Sequence, residues 1–233
     1  MFLGCRSSSI LPAFSFFMKQ KFGGLPFLPP ISSSFNASSL KIAFAVRENQ
    51  AETGARAISN LAYIQSRLQK RKHLNYSIQN ITFEHLAPSE MILAMSRLHV
   101  FISVHGAGMT NMFFMNAGAA VIEIIPWPLC NCKSGDYFYG TGGYYHGSAV
   151  ALGLRHYSLC IPAEDVKWNV KPKQKLKSGV RCSWRHLHAV ESVFVDPFRL
   201  VSILRNIERD MVFSRRIVLT ERPLVELSPH ING

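Results

Sequence analysis

The chain is short of acid. Fourteen Asp and Glu residues face 26 Lys and Arg, a formal net charge of +12. Charged residues make up only 17% and hydrophobic ones 48%, which excludes a disordered polyelectrolyte and describes a globular protein. At 233 residues the chain can bury one good core, or one lobe with appendages. Cysteine is sparse: Cys5, Cys130, Cys132, Cys160 and Cys182 are odd in number. Cys130-x-Cys132 lacks the spacing of a Cys-x-x-Cys zinc pair, so no zinc site is expected. No zinc-finger, RNP or helix-turn-helix pattern accompanies the basic residues, so specific nucleic-acid reading is not expected. No signal peptide is expected in this stretch: Ile10 to Met18 is apolar, but Pro12 interrupts it and only Arg6 precedes it. There is no internal repeat.

What charge there is clusters. Lys167, Lys171, Lys173, Lys175, Lys177, Arg181 and Arg185 crowd one stretch, and Arg67, Lys70, Arg71 and Lys72 another. Such runs are solvated faces or loops, and they suit an anionic ligand or surface. A disulfide from Cys130 or Cys132 to Cys160 or Cys182 is open to the chain. Sequons at Asn36, Asn75 and Asn80 lean toward a secretory address.

Leu98 to Ile122 contains no Lys, Arg, Asp or Glu. Its length would admit a membrane span. Glycines and asparagines break the run, however, and its β-branched residues fall in two short blocks. It reads instead as a βαβ unit. Val100 to Val104 suits a strand buried on both faces. His105-Gly106-Ala107-Gly108 then removes bulk where strand gives way to helix. Thr110 and Asn111 are expected to cap that helix. Met112, Phe113 and Met115 cover its inner face, Gly118 stops it, and Ala120 to Ile125, closed by Pro126, is the next strand. Glycines at the carboxyl end of a parallel strand aim backbone N–H groups at a phosphate or pyrophosphate. A lone Gly-x-Gly can equally be a structural turn without a ligand.

The residues around this turn resemble the family-61 glycosyltransferases. The resemblance rests on Val104-His105-Gly106-Ala107-Gly108-Met109-Thr110-Asn111 followed by Phe114, then Gly118 to Pro126 with Glu123-x-x-Pro126. It extends over Leu40 to Ile161, and more weakly over Val195 to Ile207. The family includes EGF-domain O-GlcNAc transferases, a protein O-mannose N-acetylglucosaminyltransferase and plant xylan glycosyltransferases. It implies a nucleotide-sugar donor, UDP-linked by expectation, a protein or glycan acceptor, and an address in the Golgi or endoplasmic reticulum lumen.

Along the chain, residues 1–39 read as a linker and the remnant of a preceding lobe, with a short apolar helix carrying Phe14, Phe16, Phe17 and Phe22. Lys41 to Val46 is a buried strand with Arg47 at its carboxyl end. Glu52 to Lys72 reads as one amphipathic helix, with Ala57, Leu61, Ile64 and Leu68 on a stripe and Arg56 and Asn60 sharing a face. Tyr76 to Phe83 is a strand ending in Glu84, and Ser89 to Met95 a short helix after Pro88. Leu129 to Gly143 is expected to be a loop over the binding edge. Tyr144 to Leu154 is a small-residue helix, with His146 read as a surface histidine, and Arg155 to Ile161 is a strand. Ala163 to His188 reads as a mobile basic loop. Asp196-Pro197 opens a helix to Met211 with Phe198, Val201, Leu204 and Ile207 buried. Residues 214–233 form a tail, with a strand possible at Ile217 to Leu219.

Strands alternating with helices imply an α/β, doubly wound parallel sheet over residues 40–213, with the basic loop at 164–188. The resemblance implies the C-terminal, nucleotide-sugar lobe of a two-lobe GT-B enzyme, the acceptor lobe lying outside the sequence. Arg47 and Arg56 are expected to pair with pyrophosphate. Asn60 comes from the family's Arg-x-x-x-Asn pattern. Gly106, Ala107, Gly108, Thr110 and Asn111 are expected at the phosphate turn, and Glu123 on sugar or ribose hydroxyls. His105 is expected to donate to phosphate or act as acid or base. No Asp-x-Asp motif occurs, so neither metal nor cofactor is expected. Two alternatives stand: a degenerate nucleotide-binding or interaction module, and a dinucleotide oxidoreductase. The second is disfavoured because a third glycine is missing and the turn follows the third strand.

Overall fold

The computed structural model describes residues 10–23, 40–47, 56–70, 76–127, 129, 142–168 and 190–220. Its centre is a five-stranded parallel sheet. The strands are β1 (Leu40–Val46), β3 (Tyr76–Thr82), β4 (Val100–Val104), β5 (Ala120–Pro126) and β6 (Arg155–Ile161), in the spatial order β3-β1-β4-β5-β6. Each pair is parallel. This is the doubly wound α/β sheet that the alternating pattern predicts. Every residue of β4 and β5 is buried, as their near-continuous apolar sequences require of central strands covered on both faces. β3, at one edge, leaves Ser77, Gln79 and Asn80 exposed. The chain runs from β1 outward to β3, then returns to build β4 on the other side of β1. The crevice between the carboxyl ends of β1 and β4 is therefore the topological switch point, where open α/β sheets bind ligands.

Helices α1 (Ile10–Gly23), α2 (Leu61–Gln69), α3 (Pro88–Ser96), α4 (Gly142–Ala151) and α5 (Pro197–Thr220) flank the sheet. A 3-10 helix, Ala107–Phe114, follows β4. Pro88 occupies the first position of α3, where its missing N–H costs nothing, and Glu90 accepts from the Ala87 N–H at 2.9 Å. α1 packs against α3, the 3-10 helix and α4. Lys19 of α1 donates to the Met115 carbonyl at 2.7 Å and to Asn116 Oδ1 at 3.1 Å, and burial pushes its ammonium down to about 8. This helix is thus fastened to the sheet body rather than projecting from it.

A second, three-stranded sheet was not legible in the sequence. β2 (Ala57–Ile58) runs parallel to β8 (Val190–Val193), which pairs antiparallel with β7 (Val166–Trp168). It corrects three expectations. The helix expected from Glu52 is α2, which begins only at Leu61; Ala57 and Ile58 are drawn into a strand by a partner more than a hundred residues away. Residues 51–55 lie outside the described residues. The basic stretch is ordered at its start, where a short 3-10 turn (Ala163–Asp165) leads into β7, while residues 169–189 lie outside the described residues. Arg56 and Asn60 share no helical face, because a strand separates them. Asn60 precedes α2, and its side chain clasps the Val195 backbone, donating to its carbonyl at 2.8 Å and accepting from its N–H at 3.1 Å. Asn60→Ala removes both bonds, and we expect a loss of about 2 kcal/mol at roughly 1 per net hydrogen bond. Urea unfolding of this variant against the parent measures it.

α5 also differs from its expected form. It continues through Thr220, so no strand forms at Ile217 to Leu219 and the tail begins later than residue 214. Its buried stripe is Leu200, Leu204, Ile207 and Met211, with Val201 half-buried. Phe198 is 68% exposed, and the Arg67 guanidinium lies 5.0 Å from its ring centre. Cys160 is disulfide-bonded, and its partner lies outside the described residues. No helix among the described residues is long and apolar enough to cross a membrane.

Candidate functional site

A cleft of about 290 Å³ opens at the switch point. Its walls come from the ends of three strands: Ala45, Val46 and Arg47 after β1, Phe83 and Glu84 after β3, and Ser103, Val104 and His105 from β4. Arg56, Ala107, Gly108 and Asn111 complete it. Of the residues expected to meet a ligand, the structure thus brings together Arg47, Arg56, His105, Ala107, Gly108 and Asn111. Asn60 is spent on Val195. Gly106 lies just behind the wall, and Thr110 points to solvent.

The turn itself is tighter than expected. It forms a 3-10 helix whose N-cap is Gly106, at φ 153°. Thr110 and Asn111 therefore sit inside the helix and cap nothing at its start. Their side chains donate back to the carbonyls of Ala107 and Gly108, at 2.6 and 3.0 Å. The first intrahelical bond is Met109 N–H to the Gly106 carbonyl at 2.9 Å, so the Ala107 and Gly108 N–H groups precede the ladder and need another acceptor. The helix ends at Phe114, before Gly118, which instead takes φ 85° in the turn into β5 and donates to the Gly153 carbonyl at 2.8 Å. Met109, Met112, Phe114 and Met115 form the buried side, whereas Phe113 is only half-buried.

Arg56 holds the turn from above. Its Nη1 donates to the His105 carbonyl. A Cβ placed on Gly106 would meet Arg56 Nη1 at 2.9 Å, so the guanidinium packs directly on the glycine. Burial lowers the Arg56 pKa to about 10, the charge of Arg47 pushes it the same way, and Tyr145 opposes. Arg56 therefore stays protonated at neutral pH. Two partly buried cations border one crevice and make its potential positive on that side.

Glu123 does not reach the cleft. It is fully buried in β5, and both oxygens are taken: Oε1 by His105 Nδ1 and Oε2 by His156 Nε2 at 2.8 Å. The expectation that it contacts ligand hydroxyls is corrected by its place in the middle of a central strand. Burial works to raise its pKa, but the hydrogen bonds and charges of His105 and His156 outweigh burial and leave it lowered. Ionised, it can only accept, so both histidines donate to it. From α4, the Tyr145 ring meets His105 edge-on at 5.3 Å, and its hydroxyl donates to the Gly106 carbonyl at 2.7 Å. His146, exposed as expected, meets the His156 ring at 5.4 Å.

Sequence reasoning assigned no site role to His156, Tyr145, Ser103, Phe83 or Glu84. Phe83 and Glu84 end a strand, a position that could have marked them. His156 lies within a strand, and nothing local distinguishes it from a surface histidine. Among the described residues no group of three His, Cys, Asp or Glu could hold a metal ion.

The Glycosyltransferase 61 family model matches residues 11–122. The match opens within α1 and closes on β5, one residue before Glu123. It begins earlier than the motif resemblance suggests, taking in α1, and ends short of β6. Arg47, Arg56 and the whole turn from His105 to Asn111 fall inside it. No curated protein matches the chain.

Proposed function

We propose, from the match of the Glycosyltransferase 61 model to residues 11–122, that this chain is a family-61 glycosyltransferase and that its cleft binds a UDP-sugar as donor for a protein or polysaccharide acceptor. The observation that carries this reading is convergence: Arg47, Arg56 and the start of the 3-10 helix all border one crevice at the switch point. The arginines pair with the pyrophosphate, whose negative charge grows as the sugar leaves. The Ala107 and Gly108 N–H groups supply donors without side-chain bulk. His105, anchored through Nδ1 on Glu123, presents Nε2 to the departing phosphate and serves as hydrogen-bond donor or acid there in its doubly protonated form. Counter-charge comes from arginine, so donor binding proceeds without a divalent metal. Phe83 and Glu84, on the β3 side of the cleft, are assigned to the nucleoside end in this reading. In a two-lobe arrangement this is the nucleotide lobe, and the acceptor approaches across the cleft. A lumenal secretory compartment fits the Cys160 disulfide and the exposed Asn80 of its sequon.

Calorimetry with UDP in the presence of EDTA tests the reading. Binding at millimolar affinity or tighter is expected, about −4 kcal/mol or better. Absence of heat with every nucleoside diphosphate, alongside binding of NAD, would overturn it in favour of a dinucleotide oxidoreductase. Gly108→Val provides a companion test. A Cβ there meets only Ser103 Oγ, at 3.9 Å, so the fold has room for it. The branches then occupy the space where phosphate meets backbone. We expect an unchanged melting temperature with UDP binding lost by roughly 100-fold.

A further inference from the structure

The buried carboxylate of Glu123 ties two histidines into one unit that spans three adjacent strands. His105 immediately follows β4, Glu123 lies in β5 and His156 in β6, and Glu123 is in register with Ser103 and Ser158 on the flanking strands. The side chains of His105, Glu123 and His156 are 1%, 0% and 2% exposed. Such a group is held by directional bonds, and each bond fixes the next. His156 Nε2 donates to Oε2 at 2.8 Å, which sets the plane of the carboxylate; the carboxylate plane sets Oε1, and Oε1 receives His105 Nδ1. α4 closes the unit from outside, with Tyr145 edge-on against His105 and His146 edge-on against His156. A neutral imidazole with Nδ1 protonated has its other nitrogen, Nε2, as the acceptor, so the network selects the tautomer of the histidine that lines the cleft.

We propose that His156 is a positioning residue: acting through Glu123, it fixes the ring orientation and tautomer of His105. The inference deepens the donor-site reading, because His105 is the residue placed against the phosphate there. It needs no contact between His156 and substrate. The second strand neighbour, not the cleft wall, decides how the cleft histidine presents its nitrogens.

Imidazole nitrogen chemical shifts of the full chain, recorded without nucleotide, test this independently of any activity. In the parent, His105 is expected in the Nδ1-protonated form and His156 with Nε2 protonated. His156→Phe keeps the ring but removes the donor, and His105 is then expected to populate both tautomers. His156→Gln, which retains an N–H donor, should restore the parent pattern. UDP affinity should fall about tenfold in the Phe variant and recover in the Gln variant. An unchanged His105 tautomer in His156→Phe overturns the proposal, as does an Nε2-protonated His105 in the parent should the Phe variant fail to fold. If UDP binds neither parent nor variants while the tautomer shifts as stated, the positioning role stands and the donor reading falls.

Discussion

Gly106→Ala is expected to weaken UDP binding by roughly 100-fold, near 2.8 kcal/mol at about 1.4 kcal/mol per decade. Two effects act together. At φ 153° the backbone lies where L side chains are rarely found, and a methyl there carries a strain of about 1–3 kcal/mol. The methyl also meets the Arg56 guanidinium at 2.9 to 3.2 Å, tighter than a real Cβ contact allows. The arginine is the element able to move, and moving it breaks its bond to the His105 carbonyl and withdraws its charge from the cleft. Both the strain and the displaced arginine destabilise the protein, so the melting temperature should fall as well. This double loss distinguishes the variant from Gly108→Val, which spares stability. Calorimetry and thermal melting on both variants measure the contrast. Equal UDP affinity in Gly106→Ala and the parent would show that Arg56 does not hold the anion.

Glu123→Ala should be the most destabilising single change at the site, on the order of 3–5 kcal/mol, because it removes one partner of a buried charged network. His105 and His156 lose the acceptor they share, and a void opens in a fully buried central strand. At this chain length such a loss lowers the melting temperature by roughly 10 °C. The sign of the acid response follows from the lowered pKa. Glu123 is shifted below its ordinary 4.5 in the folded state, so its contribution is complete above that value and is lost as pH falls through the folded pKa. Parent stability should therefore decline below about pH 4.5, and Glu123→Gln should flatten that part of the curve. Urea midpoints from pH 3 to 7 check it. A Glu123→Gln curve parallel to the parent across this window would mean that the carboxylate is not ionised in the native state.

The central sheet was legible because its signals are local. Val100 to Val104 and Ala120 to Pro126 are apolar runs of strand length, and a strand covered on both faces needs nothing more to announce itself. The glycine turn was legible for the same reason: backbone near phosphate tolerates no side chain, so the chemistry is written as the absence of bulk. Arg47 followed from the end of a strand. The sequence by itself thus determined the parallel sheet and one wall of the cleft, while the strand order that sets the switch point came from the fold. Tertiary structure decided the rest, where a residue's role depends on a partner distant in the chain. Ala57 and Ile58 look helical until β8 offers them a ladder. Asn60 looks like a site residue until Val195 takes both ends of its amide. Glu123 and His156 are separated by 33 residues, and only the register of β5 against β6 sets an imidazole nitrogen 2.8 Å from a carboxylate oxygen. Periodicity tells which face a side chain takes; it cannot tell which strand lies alongside, and hydrogen bonds at this site run between strands.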